Sequence, residues 1–177
     1  MVKKILISLA LVIGGFLVYV GFQPADYKIS RELAIKATPE VLFPYINNSK
    51  KANEWMPWKD SDPGIKMEFS GPDEGVGSIS SWNSDGQMGV GTATVVESTL
   101  HQSVKTKLVT EKPMAMEQLA DISLTPAGDS TVVNWTVTGK NNFIARIFCV
   151  FMDMDKMVGP EFEKGLNTLK ATVEAAP

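Results

Sequence analysis

The chain has 177 residues, of which 17 are lysine or arginine and 20 are aspartate or glutamate. When Lys3 and Lys4 at the N-terminus are set aside, 15 basic and 20 acidic side chains remain, a net charge near −5. An acidic chain without a basic run argues against nucleic acid as a partner and against electrostatic docking on anionic lipid. The chain has one cysteine, Cys149, and one histidine, His101. An intramolecular disulfide and a cysteine-based metal site are therefore excluded, and we expect no cofactor.

The N-terminus carries an uncharged apolar segment, residues 5–22, directly after the two lysines. As a helix this segment is about 27 Å long, which is just enough to cross a hydrocarbon core. Two interpretations are open, an uncleaved membrane anchor and a cleaved secretory signal. Phe22 and Pro24 occupy positions where signal cleavage requires small residues, which favours the anchor.

The two lysines also predict an orientation, because basic residues prefer the cytoplasmic side of a membrane. We expect a single-pass protein of the inner membrane, with the N-terminus inside and the remaining chain on the extracytoplasmic, periplasmic side. Cleavage would instead produce a secreted protein. Residues 1–23 are thus assigned to the anchor or signal, and residues 24–177 have the size of one domain.

The domain is predicted to begin with a half-buried strand over residues 27–37, after a linker of about four residues. Ile29, Leu33 and Ile35 share one parity, and polar residues occupy most of the other. Arg31 has the parity of the apolar face, where an unpaired arginine is costly. Either it binds a carboxylate or phosphate of a ligand with its planar fork, or it pairs with an acid of the protein.

Two short helices are predicted next. Thr38 and Pro39 are typical of a helix start, and Pro44 indicates that the first helix is short or kinked. Ser49 is the predicted cap of a second helix, which Pro57 stops.

The middle of the chain shows strand and turn signals. Asp85-Gly86 and Pro126–Asp129 are typical of hairpin turns. The predicted strands are residues 65–70, 76–83, 88–98, 102–110, 116–125 and 130–138.

The C-terminus is predicted to be helical. Asn142 is the expected cap of a helix over residues 143–157. Gly159-Pro160 is expected to interrupt the helical pattern, and Pro160 to lie in the first turn of a final helix. In that helix an apolar stripe recurs at helical spacing, formed by Phe162, Leu166, Leu169 and Val173. The predicted order is β-α-α-β6-α. A long antiparallel sheet must curl and bury one face, and the final helix is its natural cover.

This order resembles the START-like, birch-pollen-allergen-like superfamily, and within it the polyketide cyclase/dehydrase and lipid-transport group, also called SRPBCC proteins. The layout is similar to that of a membrane-anchored bacterial subgroup. The segments that carry the likeness are Ala37-Thr38-Pro39-Glu40-Val41, Glu54-Trp55-Met56-Pro57-Trp58, Phe69-Ser70-Gly71-Pro72 and residues 157–166. The resemblance implies an α+β helix-grip fold. In this fold, a curved seven-stranded antiparallel sheet wraps around the C-terminal helix and leaves an apolar cavity between sheet and helix. A transmembrane helix is expected to precede the domain.

Strand parity, helix face and the implied fold nominate residues for the cavity. Methionines and tryptophans suit an adaptable pocket for varied ligands, since methionine fills irregular space. The alternative is that these large side chains pack on one another as ordinary core. The candidates are Arg31, Phe43, Trp55, Trp58, Trp135, Phe162, Leu166 and Leu169.

Three functional hypotheses follow. The first is binding or transport of a hydrophobic or amphipathic small molecule or lipid in the cavity, with residues 5–22 in the bilayer. The second is a cyclase or hydratase that uses Glu54 and Asp121 as general acid and base. This second hypothesis is weakened because the chain has no pair of histidines poised near neutral pH. The third is a protein-interaction domain with a filled core and no ligand.

Overall fold

The computed structural model describes residues 2–175, except the side chain of Lys59. The first element is α1 (Val2–Phe22), which is apolar and long enough to cross a membrane. At 1.5 Å per residue it is about 31 Å long, close to the thickness of a hydrocarbon core. Of its described residues only Val20 is buried. Most of the rest of its surface is exposed.

One antiparallel sheet of seven strands forms the body of the domain, in the order β1-β7-β6-β5-β4-β3-β2. The first strand begins three residues after α1 and pairs with the last strand, so that Arg31 lies opposite Trp135. The predicted hairpins are present, and the second turn is tighter than expected because Pro126 and Ala127 still belong to a strand. The strands are β1 (Asp26–Ile35), β2 (Lys66–Ser70), β3 (Ile79–Asn83), β4 (Val90–Thr99), β5 (Ser103–Lys112), β6 (Met116–Ala127) and β7 (Ser130–Lys140).

Three short helices connect β1 to β2: α2 (Pro39–Asn47), α3 (Ser49–Trp55) and α4 (Trp58–Ser61). The cap of α3 is Asn48 rather than the predicted Ser49, because the Asn48 side chain accepts hydrogen bonds from the backbone N–H groups of the first turn. The α4 turn was not predicted. Pro57 ends α3 as expected, but it also occupies the N-cap position of this next turn.

The predicted boundary between the C-terminal helices is wrong. Instead of one helix over residues 143–157, α5 (Phe143–Phe151) ends early and α6 (Met154–Glu174) contains Pro160 in its interior. Asp153 caps α6, accepting hydrogen bonds from the backbone N–H groups of Asp155 and Lys156 at 3.1 and 3.3 Å. This cap and the burial of the apolar stripe offset the one backbone hydrogen bond that Pro160 removes.

The core lies between α6 and the inner face of the sheet. The predicted stripe of α6 is buried, and the inward residues of β6 and β7 are buried against it. These strand residues are Ala120, Ile122, Leu124, Val133, Trp135 and Val137. The α+β helix-grip fold, with a curved sheet around the C-terminal helix and an apolar helix before it, is thus confirmed.

Candidate functional site

An internal cavity of about 250 Å³ lies between the sheet and the first half of α6. All seven strands contribute to its wall, and α3 closes it with Ala52 and Asn53. Met154, Val158 and Phe162 form the wall on the α6 side. The cavity exists because the sheet curves away from the N-terminal half of α6, whereas the C-terminal half packs directly on it.

The structure divides the predicted cavity residues into two groups. Trp58, Trp135 and Phe162 line the cavity. The other four apolar candidates are buried in the core and do not line it; they are Phe43, Trp55, Leu166 and Leu169. The core interpretation therefore describes those four, and a ligand role stays a prediction for the three that line the wall.

An aromatic cluster fixes the shape of the wall. The ring of Trp135 stacks on Phe162 with a centroid distance of 4.1 Å and an interplanar angle of 7°. Trp55 and Trp58 meet Trp135 edge-on at 5.4 and 6.0 Å. The indole N–H of Trp55 is anchored by the backbone oxygen of Tyr45 at 2.9 Å. Trp55 thus supports the cavity wall from behind, and the Trp135 ring is held in place by stacking.

Five of the nine methionines line the cavity. They come from four strands or loops and one helix, namely Met56, Met67, Met88, Met116 and Met154. Methionine has three rotatable bonds and a polarizable sulfur, so a wall built from it adapts to ligands of different outline. Methionines were expected in the pocket from the sequence, but these five positions were not predicted individually.

One end of the cavity carries uncharged polar groups, which were not predicted from the sequence. The phenol of Tyr27 accepts a hydrogen bond from the side-chain amide of Gln118, and Asn141 lines the wall beside them. Burial raises the pKa of Tyr27, and the hydrogen bond from Gln118 only partly opposes this shift. The phenol is therefore protonated near neutral pH. Tyr27 has the parity of Ile29, so the alternation of β1 contained a signal for its inward position.

The acids proposed for acid–base catalysis are not at the cavity. Glu54 is exposed, and Asp121 lies on the opposite face of β6 from Ala120 and Ile122, across from Lys105 on β5. Among the described lining residues, Tyr27 is the only one with a titratable side chain. Within residues 2–175 no cluster of three or more His, Cys, Asp or Glu side chains is arranged to hold a metal ion. The wall thus offers apolar contacts and neutral hydrogen bonds rather than a poised acid and base.

Arg31 points to the inner face of β1, as its parity predicted, but it does not line the cavity. Its Nη1 and Nη2 donate to the carboxylate of Asp155 at 2.8 and 2.9 Å, and its Nε donates to Glu163 at 2.7 Å. The interpretation in which Arg31 pairs with acids of the protein is confirmed. The guanidinium lowers the pKa of Asp155 through these hydrogen bonds. A Cβ at Gly159 would overlap Nη2 of Arg31, so this glycine lets the arginine pass over α6.

Comparison with known proteins places this geometry in a family. The sequence matches the model of a family described as polyketide cyclase / dehydrase and lipid transport over residues 26–174. No curated protein matches the chain. Among solved structures, truncated norcoclaurine synthase from Thalictrum flavum is 17% identical with a TM-score of 0.65, covering 88% of this chain and 98% of that one.

Two further solved structures share the fold. The Aha1 dimer from Colwellia psychrerythraea is 19% identical with a TM-score of 0.59, covering 84% of this chain and 97% of that one. Protein MLL2253 from Mesorhizobium loti is 14% identical with a TM-score of 0.63, covering 85% and 99%. At these identities the likeness concerns the fold alone. The match over residues 26–174, which is most of the chain, shows that the chain belongs to the polyketide cyclase/dehydrase and lipid transport family.

Proposed function

We propose that this protein binds an uncharged apolar or amphipathic small molecule in the cavity and is tethered by α1 to a membrane. The observation that carries the proposal is the composition of the wall. Apolar side chains, five methionines among them, form most of it, and Tyr27 is its only titratable group among the described residues. A wall of this kind favours binding over acid–base catalysis, which requires a group whose pKa lies near the working pH.

The polarity of the wall selects the chemical class of the ligand. A buried ion without a partner is strongly disfavoured, and Arg31, the cation on the inner face of β1, is held by Asp155 and Glu163. Tyr27, Gln118 and Asn141 instead offer neutral donors and acceptors at one end. The ligand that fits has an apolar body and one neutral polar group, such as an alcohol, ketone, ester or amide.

The cavity volume limits the size of the ligand. At about 250 Å³ it lies just below the range of roughly 300–1,000 Å³ found for pockets of drug-sized ligands. A single alkyl chain or a small ring system fits this volume better than a two-chain phospholipid. The adaptable methionines give some further room.

The membrane part of the proposal rests on α1 and on the short linker. Residues 5–22 lie in the bilayer, Lys3 and Lys4 lie on the cytoplasmic side, and the domain lies outside. Three residues separate α1 from β1, which holds the domain within about 11 Å of the end of α1. A domain so close to lipid samples molecules that are dissolved in the membrane.

The experiment uses tryptophan fluorescence of the full chain in lipid nanodiscs. Three of the four tryptophans line the cavity (Trp58, Trp82 and Trp135), and α1 contains none. An undecanol with a terminal bromine should quench this fluorescence saturably, because binding in the cavity brings its bromine close to these rings. The corresponding brominated carboxylic acid should bind more weakly when it is ionised.

Matched variants control this experiment. Ala93 lines the cavity, so Ala93→Phe should reduce the quenching by the brominated undecanol. Ala34 is an exposed residue of a strand, and Ala34→Phe should leave the quenching unchanged. Absence of saturable quenching in the unmodified protein, or equal quenching in the Ala93→Phe variant, contradicts cavity binding.

A further inference from the structure

α5 presents an apolar face that the domain leaves uncovered. Ile144, Phe148 and Phe151 follow one another at helical spacings of four and three, and they are 57%, 57% and 74% exposed. No residue of α5 is buried, and its sequence contains no acidic side chain. Large apolar residues on an exposed helical stripe of this kind indicate an interaction surface.

The surface is continuous with α1, which is the part of the chain assigned to the membrane. The ring of Phe151 meets the ring of Phe16 in α1 with a centroid distance of 5.8 Å. Arg146 of α5 donates hydrogen bonds to the backbone oxygens of Gly21 and Gln23 at 3.1 and 3.3 Å. It thereby satisfies carbonyls at the C-terminal end of α1, where a positive charge also suits the helix dipole.

These contacts fix the depth of α5 relative to α1. Phe16 lies six residues before the end of α1 at Phe22, which corresponds to about 9 Å along the helix axis. If Phe22 is at the edge of the hydrocarbon, Phe151 lies at a similar depth inside it. Amphipathic helices at membrane surfaces bury their apolar face about 5–10 Å into the boundary of headgroups and acyl chains. The depth of Phe151 therefore matches that of an interfacial helix.

We propose that α5 is an interfacial helix, which slopes into the bilayer surface beside α1 with Ile144, Phe148 and Phe151 facing the acyl chains. This inference rests on the membrane anchor of the proposed function. It goes further because it gives the domain a second contact with lipid and therefore a fixed orientation. Asn141 immediately precedes α5 and Met154 follows it, and both line the cavity. The polar end of the cavity is thus turned toward the membrane, the source of an apolar ligand.

The experiment measures the depth of single positions in the full chain reconstituted in liposomes. Replacing Cys149 by serine gives a chain without cysteine, into which one cysteine is introduced and labelled with an environment-sensitive nitrobenzoxadiazole fluorophore. Phe148→Cys and Ile144→Cys report on α5. Leu11→Cys, in the middle of α1, is the reference inside the bilayer. Val76→Cys is the control at the other end of the domain, since its loop bonds to the end of α2.

We expect the labels at positions 144 and 148 to emit at shorter wavelength than the label at 76. Nitroxide groups on lipid acyl chains should quench them, as at position 11. If position 11 is quenched while 144 and 148 behave like 76, the interfacial helix is refuted and the anchor stands. Absence of quenching at position 11 refutes the anchor and this inference together. Labels at 144 and 148 that are shielded from aqueous iodide but not quenched by lipid indicate a protein partner, which also overturns the proposal. Cavity binding is measured separately by tryptophan quenching, so a failure of cavity binding can be distinguished from a failure of the interfacial helix.

Discussion

Filling the cavity should stabilise the domain while it removes the binding site. Ala93 lies in the middle of β4, paired with Ser80 on one side and Leu108 on the other, and all three line the cavity. In the variant Ala93→Leu the added carbons occupy space that a ligand would otherwise use. The change in stability of this variant tests whether the space beside Ala93 is empty and can hold a larger side chain.

The magnitude follows from the buried atoms. Leucine adds three carbon atoms, and burial of each contributes about 0.8 kcal/mol, which gives about 2.4 kcal/mol. Fixing the leucine side chain costs about 0.5–1 kcal/mol of conformational entropy, which leaves roughly 1.5–2 kcal/mol. For a chain of this length each kcal/mol shifts Tm by about 2–4 °C, so Tm should rise by roughly 3–8 °C.

The assay is thermal unfolding of the full chain in nanodiscs, followed by intrinsic fluorescence, together with the quenching by brominated undecanol. Ala34→Leu is the control, because Ala34 is exposed on β1 and should change neither quantity. If the region around Ala93 is already filled, overpacking destabilises the protein by about 1–3 kcal/mol. A fall in Tm of Ala93→Leu below that of the control therefore refutes the reasoning.

Three more predictions concern the core and the contact between β1 and α6. Leu169 is fully buried but does not line the cavity. Leu169→Ala should therefore lower the free energy of unfolding by about 2–5 kcal/mol and leave the affinity for brominated undecanol unchanged. A loss of affinity at unchanged stability would contradict the assignment of Leu169 to the core and not to the cavity wall. Gly159→Ala should lower Tm, because its Cβ displaces the Arg31 guanidinium from Asp155, and the double variant Gly159→Ala with Arg31→Met should lose this added effect; additive losses would exclude the clash. The Asp155 pKa is lowered in the folded protein, so its contribution to stability is present above its unfolded pKa of about 3.9 and disappears as the pH falls through the folded pKa. Urea unfolding at pH 7 and at acid pH should therefore show a smaller acid-induced loss in Arg31→Met than in the unmodified chain, and equal losses would contradict the assignment.

The helix break near the C-terminus shows how local signals compete. Pro160 predicted the start of the final helix, whereas Asp153, a residue type that also favours the N-cap position, is its cap in the structure. In the fold the cap at Asp153 begins α6, and Pro160 is tolerated inside it because burial of the stripe from Phe162 to Val173 holds the helix on the sheet. A tertiary contact thus decided between two local signals of opposite meaning.

The sequence by itself determined the membrane-type helix, the alternation of the strands and the buried stripe of α6, because each of these depends on the spacing of apolar residues along one element. It also placed Arg31 and Trp135 on the inner face. It did not show that Trp135 lines the cavity and Trp55 does not, or that Phe162 lines it and Leu166 does not, because the members of each pair are similarly buried.

Only the tertiary structure decided which of these side chains meet the cavity, since that depends on where the curvature of the sheet leaves space beside α6. The tertiary structure also decided the partners of Arg31, because these acids lie 124 and 132 residues further along the chain. They belong to α6, whose start was predicted at the wrong residue. The uncovered face of α5 likewise became visible only in the fold. Its sequence shows only that one side is apolar, and the fold leaves that side facing outward next to α1.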